Sequence, residues 1–384
     1  MRNIGTVTRG IRAPIIKNGD DLVAITVDAI LNVVKDDNIT LNDRDIVGIT
    51  ESLLARSQGN YISLDTISKE ISDKFGDEVG VLFPLLSRNR FALILQAVAK
   101  GVKKCYVQLS YPHDEVGNPI ADIDKMYRKG INPYSDEFTE TEYRSIFTSA
   151  ERTNPFTGVD ILEYYKSLSD NIEIIFANDP VSILKHTKKV LVSNVHGRAR
   201  SKELVRTAGA EVVYSVDEIA TKSINGEGYN PEYGLLGSNY SKDGVLKLFP
   251  RDCKAFVNDV QAKLYEATGK KLEIMIYGDG SFKDPVAGIW ELADPVVSPA
   301  FTDGLSGVPH ELKLKYIADT SDLSDEAIIE KVRAKTATQA EALGTTPRRI
   351  IDLVGSLCDL TSGSGDKGTP IVLIQGYFDN YADE

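Results

Sequence analysis

The sequence contains few residues of the kinds that build disulfides, zinc sites or membrane spans. Its 384 residues include three cysteines, Cys105, Cys253 and Cys358, which are far apart and odd in number. Neither a disulfide framework nor a zinc motif follows from this spacing, so we expect a reducing compartment, the cytoplasm. Four histidines form no HExxH pattern, which argues against a zinc hydrolase. No run of about 18 apolar residues occurs and the first residues lack a signal-peptide core, so we expect neither membrane insertion nor export.

Acidic residues also outnumber basic ones. The chain has 44 Lys and Arg against 56 Asp and Glu, a formal net charge of −12. A nucleic-acid-binding surface normally needs a basic patch, so we expect no nucleic-acid partner. The acidity fits a site that gathers divalent cations. The P-loop pattern GxxxxGK[ST], the dinucleotide pattern GxGxxG after a strand and the Ser–His–Asp hydrolase signals are all absent.

The sequence does contain alternating apolar strands and amphipathic helices, which predict an α+β fold with mixed sheets and flanking helices. A helix is predicted from Leu22, and buried strands are predicted over Ile46–Thr50, Ile172–Phe176 and Leu312–Ile317. The region from about Ser110 to Asn171 is rich in Tyr, Phe and Pro and is predicted to be an elaborated insertion. At this length we expect two or three domains.

Two predicted strands end in residues that suit a catalytic site. Leu272, Ile274 and Ile276 alternate in a strand that runs into Gly278-Asp279-Gly280. A carboxylate at the end of a strand is suited to a metal or a phosphate, although spacing alone favours an ordinary Asp-Gly turn. Glu51 and Arg56 follow another apolar strand, where a ligand-binding group or a helix start fits equally well.

Two further segments leave alternatives open. Asp20 and Asp21 precede a predicted helix, where they suit an N-terminal cap. The loop from His196 to Lys202 is basic and lies at a predicted helix start, so Arg198 and free backbone amides could bind an anion. A solvated turn explains the same residues.

Five segments together resemble a known family. In order along the chain they are GIRAPIIKNGDDL, DRDIVGITESLLARSQGN, VLKLFPRDCKAFVNDVQAKLYEATGKKLEIMIYGDGSF, GLSGVPHELKLKYIAD and GSGDKGTPIVLIQGY. They resemble the coenzyme F-420 gamma-glutamyl ligases and cover about half of the chain, at both ends. The resemblance implies a ligase-like body formed by residues 1–77 and 230–384, with residues 78–229 as a large α/β insertion that is longer than the family's usual connection.

The resemblance also implies a reaction. Such ligases use GTP to phosphorylate a substrate carboxylate, and the amine of L-glutamate then attacks the acyl phosphate to form an amide. Divalent cations, Mg²⁺ or Mn²⁺, neutralise charge on the phosphates. We therefore expect a small carboxylate and glutamate as substrates, GTP or ATP as co-substrate, and a homodimer. Residue by residue, the resemblance and the patterns above assign three groups: catalytic Glu51, Arg56 and Lys367; nucleotide- or substrate-binding Asp20, Asp21, Ser57, Arg198 and Asp366; and metal-binding Asp279 and Asn239.

One position departs from the family. The family's second metal aspartate stands in a Gly-Val-Asp-x-Ser-Asn setting, and depending on one gap it aligns here with Leu236 or Asn239. Asn offers an uncharged carbonyl oxygen and Leu offers no ligand atom. Two alternatives to the ligase therefore stay open: a binding or regulatory protein that has lost catalysis, and a nucleotidyl- or phosphotransferase that uses the same metal site.

Overall fold

The computed structural model divides the chain into two compact units. Unit 1 comprises Met1–Ser57, Asp252–Gly280 and Val296–Glu384, and unit 2 comprises Gln58–Arg251 and Ser281–Pro295. The structure describes residues 4–87, 90–153, 158–278, 298–308, 313–320, 322–334, 348–363 and 365–379, together with the backbone of 282–283 and 290–291.

The strands and helices are numbered in chain order. The strands are β1 (Val7–Ile11), β2 (Ile46–Thr50), β3 (Tyr61–Ser63), β4 (Glu78–Leu82), β5 (Lys104–Leu109), β6 (Phe138–Thr139), β7 (Ile172–Phe176), β8 (Lys189–Val192), β9 (Val212–Ser215), β10 (Asn239–Lys242), β11 (Val245–Lys247), β12 (Glu273–Tyr277), β13 (Phe282–Lys283), β14 (Trp290–Glu291), β15 (Ala300–Phe301) and β16 (Ile371–Gln375). The helices are α1 (Leu22–Asp36), α2 (Glu51–Ser57), α3 (Leu64–Phe75), α4 (Phe91–Gly101), α5 (Ile123–Arg128), α6 (Glu140–Ile146), α7 (Ser149–Arg152), α8 (Ile161–Ser167), α9 (Arg198–Thr207), α10 (Cys253–Thr268), α11 (Leu314–Thr320), α12 (Asp325–Arg333) and α13 (Ile350–Ser362). Short 3₁₀ turns span Pro180–Lys185, Val216–Glu218, Asp303–Leu305 and Gly365–Lys367.

Unit 1 is built on a five-stranded sheet in the order β1-β16-β2-β12-β15. Its two central members, β2 and β12, are parallel, and the pairing of Thr50 with Tyr277 brings their carboxyl ends to the same edge. Both strands are mostly apolar because both faces of the sheet are covered. Val47 and Ile274 pack with α1 and α10 on one face, and Met275 packs with α13 on the other.

A glycine allows α13 to lie close to the sheet. Gly48 stands in the middle of β2, and a Cβ atom built there would lie 2.4 Å from Sγ of Cys358 in α13. Any larger residue would push the helix away from the sheet. The absent side chain thus sets the distance between two layers of the core.

Unit 2 contains a six-stranded sheet in the order β6-β7-β5-β4-β8-β9, in which all neighbours are parallel except the short edge strand β6. The chain proceeds outward from β4 through β5 to β7 and then returns to the other side of β4 with β8 and β9. The strand order therefore reverses between β4 and β8. A smaller antiparallel sheet, β10-β11-β3, belongs to the same unit.

The α+β prediction is confirmed, as are the helix from Leu22 and the strands over Ile46–Thr50 and Ile172–Phe176. The strand predicted over Leu312–Ile317 is wrong, because the described part of that segment begins helix α11 at Leu314. Alternating apolar residues over so short a run fit either element, and only Ile317 of this helix is buried. The assignment of 1–77 and 230–384 to one ligase-like body around 78–229 stays a prediction. None of the described helices has the length and apolar character to cross a membrane.

Candidate functional site

Three segments of unit 1 meet at the carboxyl ends of the parallel strands β2 and β12. The backbone amide of Thr50, the last residue of β2, donates to the carbonyl oxygen of Pro370 over 3.1 Å. The hydroxyl of Tyr277, the last residue of β12, donates to the same oxygen over 3.2 Å. Pro370 directly precedes β16, so the Gly-rich loop before that strand is fixed to both strand ends. The structure thereby places the start of α2, Gly278 after β12 and the Gly-Asp-Lys loop at the carboxyl ends of these two strands.

Glu51 is the first residue of α2 and immediately follows β2. Its side chain is only 5% exposed. A carboxylate at a helix N-terminus is stabilised by the partial positive charge of the helix end, and exclusion of water strengthens its attraction for a cation. The helix-start alternative for Glu51 is confirmed, and its role as a ligand-binding group at the end of β2 stays a prediction.

Arg56 and Ser57 hold the N-terminal segment against α2. The guanidinium of Arg56 donates through Nε and Nη2 to the carbonyl oxygen of Ile16, at 3.3 and 3.2 Å. The amide of Gly19 donates to the carbonyl oxygen of Ser57 over 2.8 Å. The amide of Ala13 bonds to the carbonyl of the glycine that follows Lys367, at 3.1 Å. The segment around Ile16 is consequently tied to both α2 and the Gly-Asp-Lys loop, which brings Arg56, Ser57 and that loop into one region.

The structure gives Asp20 and Asp21 local contacts. Asp20 accepts a hydrogen bond from the Lys17 amide at 2.6 Å, and Asp21 caps α1 by accepting from the Ala24 amide at 3.0 Å. The contact of Asp21 is that of the capping alternative, whereas Asp20 closes the turn before the helix. A contact of either residue with a nucleotide stays a prediction.

Asp366 and Lys367 lie in the 3₁₀ turn before β16, and both are exposed. Lys367 is positioned over the end of α13, because a Cβ atom at the capping Gly363 would lie 2.7 Å from its Nζ atom. A cation there is favoured by the partial negative charge of the helix C-terminus. The exposed turn leaves both charged side chains accessible to a ligand at this edge.

The residues predicted to bind metal differ in what the structure shows. Asp279 lies outside the described residues, one position beyond Gly278. Leu236 is 4% exposed and packs in the apolar core of unit 2, whereas Asn239 begins β10 opposite Lys247. Of these two side chains, only that of Asn239 has an oxygen atom that can coordinate a metal, and carbonyl oxygens suit hard divalent cations. Across the part of the chain that the structure describes, no three His, Cys, Asp or Glu residues are grouped to hold a metal ion.

Carboxylates of the same unit occupy the cationic and amide groups of the basic loop before α9. Arg198 pairs with Asp217 at 3.0 Å and also donates to the carbonyl of Val195. The carboxylate of Glu115 accepts hydrogen bonds from the backbone amides of Val195, His196 and Gly197. The amides that were predicted to be free for an anion thus hold a carboxylate of the same chain. Sequence reasoning missed Glu115, although its position shortly after the apolar strand β5 is the kind of position at which such sheets bind ligands.

Comparison with known proteins adds one finding. A family model described as F420-0:Gamma-glutamyl ligase matches residues 10–376. The matched range includes the middle region and every predicted site residue from Asp20 to Lys367. No curated protein matches the chain.

Proposed function

The chain belongs to the F420-0:Gamma-glutamyl ligase family, and from this premise we propose that it is a nucleotide- and divalent-metal-dependent ligase that adds glutamate to a small carboxylate through an acyl phosphate. The family match over nearly the whole chain is the observation that carries the proposal. The meeting of Glu51, Gly278 and the Gly-Asp-Lys loop at one sheet edge supports it, because these are the segments that also carry the sequence resemblance.

The proposed reaction has two steps. An oxygen of the acceptor carboxylate attacks the γ-phosphorus of GTP or ATP, and the bond from that phosphorus to the bridging oxygen breaks to release the nucleoside diphosphate. The amine of glutamate then attacks the acyl carbon, the carbon–oxygen bond to phosphate breaks, and the amine loses a proton. Both steps bring anionic groups together, so the protein must supply positive charge and correct placement.

We assign the roles from position and charge. Arg56, whose orientation is set by the Ile16 carbonyl, and the exposed Lys367 bind phosphate or carboxylate oxygens. The buried carboxylate of Glu51 binds and orients the amine of the incoming glutamate, since an ammonium group is attracted strongly where water is excluded. Asp279 would hold Mg²⁺ or Mn²⁺, which would supply neutralising charge to the phosphates. Asn239 stays a separate candidate ligand, with an uncharged oxygen.

The test is metal-dependent phosphate release that requires both an acceptor carboxylate and glutamate. Asp279→Asn keeps the shape of the side chain and removes its charge, so turnover should fall about a hundredfold or more while the fold survives. Asp303→Asn is the matched control, because the Asp303 side chain is 98% exposed and pairs only with Lys254 at 2.9 Å among the contacts that the structure gives it. Wild-type turnover in Asp279→Asn would overturn the metal assignment.

A second candidate function rests on Leu236. Its burial in the apolar core fits a family member that kept the fold and lost catalysis, and that now acts as a nucleotide- or ligand-binding protein. Nucleotide binding without turnover, across a panel of carboxylates and amines, would select this candidate. The homodimer is likewise a proposal from the family resemblance, and sedimentation equilibrium measures it directly.

A further inference from the structure

In the six-stranded sheet of unit 2, the strand order reverses between β4 and β8. In open sheets of parallel strands, loops leave the two strands at such a point toward opposite faces, and the crevice between them is where ligands bind. The amide of Ser193, just after β8, donates to the carbonyl of Leu82 at the end of β4 over 2.8 Å. The loop Asn194–Gly197 therefore starts at this point and leads directly into α9.

Three consecutive backbone amides of this loop point at one carboxylate. Glu115 accepts from the amides of His196 and Gly197 at 3.1 and 3.2 Å and also from the amide of Val195. Glu115 is itself exposed. Successive amides at the start of a helix form a concave group of donors that suits an anion. An exposed glutamate thus occupies the position that a ligand's anionic group would take.

The turn that presents Glu115 is fixed by its neighbour Asp114. This residue is 3% exposed and accepts hydrogen bonds from the amides of Leu86, Val116 and Asn118. Because Leu86 follows β4, the turn is attached to the strand that borders the reversal point. The hydrogen bonds of Asp114 therefore fix the turn in which Glu115 lies over the loop.

A second observation at the same place is the side chain of Asn194. It is only 5% exposed, yet its Oδ1 atom is buried and accepts no hydrogen bond within the described part of the chain. A Cβ atom at Gly197 would lie 2.5 Å from Nδ2 of Asn194 and 3.9 Å from Oε2 of Glu115, so the carboxamide borders the group that the amides bind. A buried polar side chain without a hydrogen-bond partner is rare. Its donor atom Nδ2 is the one nearest to Gly197, so it is placed to bond an anion held by the amides.

A cleft of about 490 Å³ adjoins the loop. It shares His196 with the group of amides, and Lys202, Arg206 and Ser215 also line it. Its volume falls within the range of small-molecule sites, about 300–1,000 Å³. Arg198 and Lys202 are paired with Asp217 and Glu218, which limits the charge they can offer, so the backbone amides are the main donors for an anion.

We propose that the loop Asn194–Gly197 is a binding site for the phosphate group of a small phosphorylated molecule, and that Glu115 occupies the amides until that phosphate displaces it. Phosphate is favoured over a carboxylate because it carries more charge and more acceptor oxygens toward three donors. The carboxamide of Asn194 then donates to the phosphate through Nδ2, the atom nearest to Gly197. This inference concerns unit 2 alone and does not rest on the proposed ligase activity.

The experiment titrates inorganic phosphate into the full-length protein and follows the backbone amide resonances of Val195, His196 and Gly197 by NMR. Glu115→Gln removes the competing charge and should tighten phosphate binding at least about fivefold, since charge-assisted hydrogen bonds are roughly twice as strong as neutral ones. Asn194→Asp places a negative charge beside the site and should weaken binding by at least a similar factor. Glycerol phosphate in a parallel titration shows whether an organic group in the cleft adds affinity.

Glu232→Gln is the matched control, because Glu232 is an exposed glutamate of the same unit and is not among the residues that line the cleft. It makes the same change in charge away from the amides, so phosphate affinity should change less than twofold. An equal gain in both glutamine variants would show a general charge effect and overturn the proposal. So would unchanged amide resonances in Glu115→Gln at saturating phosphate, or acetate binding as tightly as phosphate.

Discussion

The hydroxyl of Tyr277 and the carbonyl oxygen of Pro370 are joined by a hydrogen bond of 3.2 Å, although the residues are 93 positions apart in the chain. The same oxygen accepts the amide of Thr50. A carbonyl oxygen has two lone pairs and can serve both donors. One proline carbonyl therefore fixes the ends of two parallel strands and the loop that carries Asp366 and Lys367, which sets the frame in which Glu51 is presented.

The first prediction compares two buried glutamates of the β2–β12 pair. Glu51 follows the carboxyl end of β2, and Glu273 is the first residue of β12, at the opposite edge. Glu51→Gln should lower kcat/KM for glutamate about a hundredfold while nucleotide affinity changes less than twofold, because the charge that orients the amine is lost. Steady-state kinetics with varied glutamate and calorimetric nucleotide titration provide the two measurements.

Glu273→Gln is the control for this prediction. Glu273 is 4% exposed and accepts a hydrogen bond from the hydroxyl of Thr302. The same change there should lower thermal stability and leave kcat/KM for glutamate within about twofold, since the site lies at the other edge of the sheet. If both variants lose activity equally, the loss reflects damage to the sheet, and the role assigned to Glu51 is wrong.

The sequence was informative where local pattern and burial coincide. The apolar residues of β2 and the alternation of Leu272, Ile274 and Ile276 predicted the two central strands. Asp21 marked the start of α1 because capping is a local interaction. The contacts of Pro370 and Glu115 could not be predicted, because each joins segments that only the tertiary fold brings together. Glu115 and Val195, for example, are 80 positions apart. The short apolar alternation near Ile317 lacked the length that distinguishes a helix from a strand.

The second prediction concerns the packing of α13 on the sheet. Gly48→Ala places a methyl group where Sγ of Cys358 stands, at 2.4 Å, and should lower the free energy of unfolding by about 1–3 kcal/mol. Urea denaturation measures the change. Gly5→Ala, where a Cβ atom meets nothing within 4 Å, should change stability by less than about 0.5 kcal/mol. In a Cys358→Ala background the penalty of Gly48→Ala should shrink, and a penalty that simply adds would contradict the contact.

The third prediction is a pH dependence of stability in unit 2. The Lys125 ammonium bonds both oxygens of Glu151 at 2.8 Å, and together with the Thr148 amide it lowers the pKa of Glu151 from 4.5 to about 2. A carboxyl group whose pKa is lower in the folded state stabilises the fold above its unfolded pKa. This contribution is lost as the pH falls from about 4.5 toward about 2. The free energies of unfolding of wild type and Glu151→Gln, measured by urea denaturation, should therefore differ most at pH 6, and the difference should narrow as the pH is lowered to 3.

Glu142→Gln is the comparison for that prediction. Glu142 caps α6 through the amide and hydroxyl of Thr139, and these contacts lower its pKa. Its substitution removes the same type of capping interaction without touching Lys125. At pH 6 it should cost less than Glu151→Gln, so equal losses would show that Lys125 adds nothing beyond the cap.

The fourth prediction concerns Asn239 and separates an active ligase from a protein that has lost catalysis. If Asn239 stands where the family has its second metal aspartate, the site holds one charge fewer, and metal affinity should be weak. Mn²⁺ should then support nucleotide binding better than Mg²⁺, since Mn²⁺ accepts less regular ligand sets and Mg²⁺ demands near-ideal octahedral geometry. Asn239→Asp restores the charge and should tighten metal-dependent binding of GTP and ATP.

Calorimetric titration of GTP and ATP into both forms, with each metal in turn, provides the measurement. Asn225→Asp is the matched control, because Asn225 is exposed and its substitution adds the same charge elsewhere in unit 2. A gain in Asn239→Asp that exceeds the change in Asn225→Asp, and that depends on the metal, supports the ligase site. Equal affinities in all three proteins would remove Asn239 from the site. The family position would then correspond to Leu236, whose buried side chain has no atom that a metal can bind, and the binding-protein candidate would be the one supported.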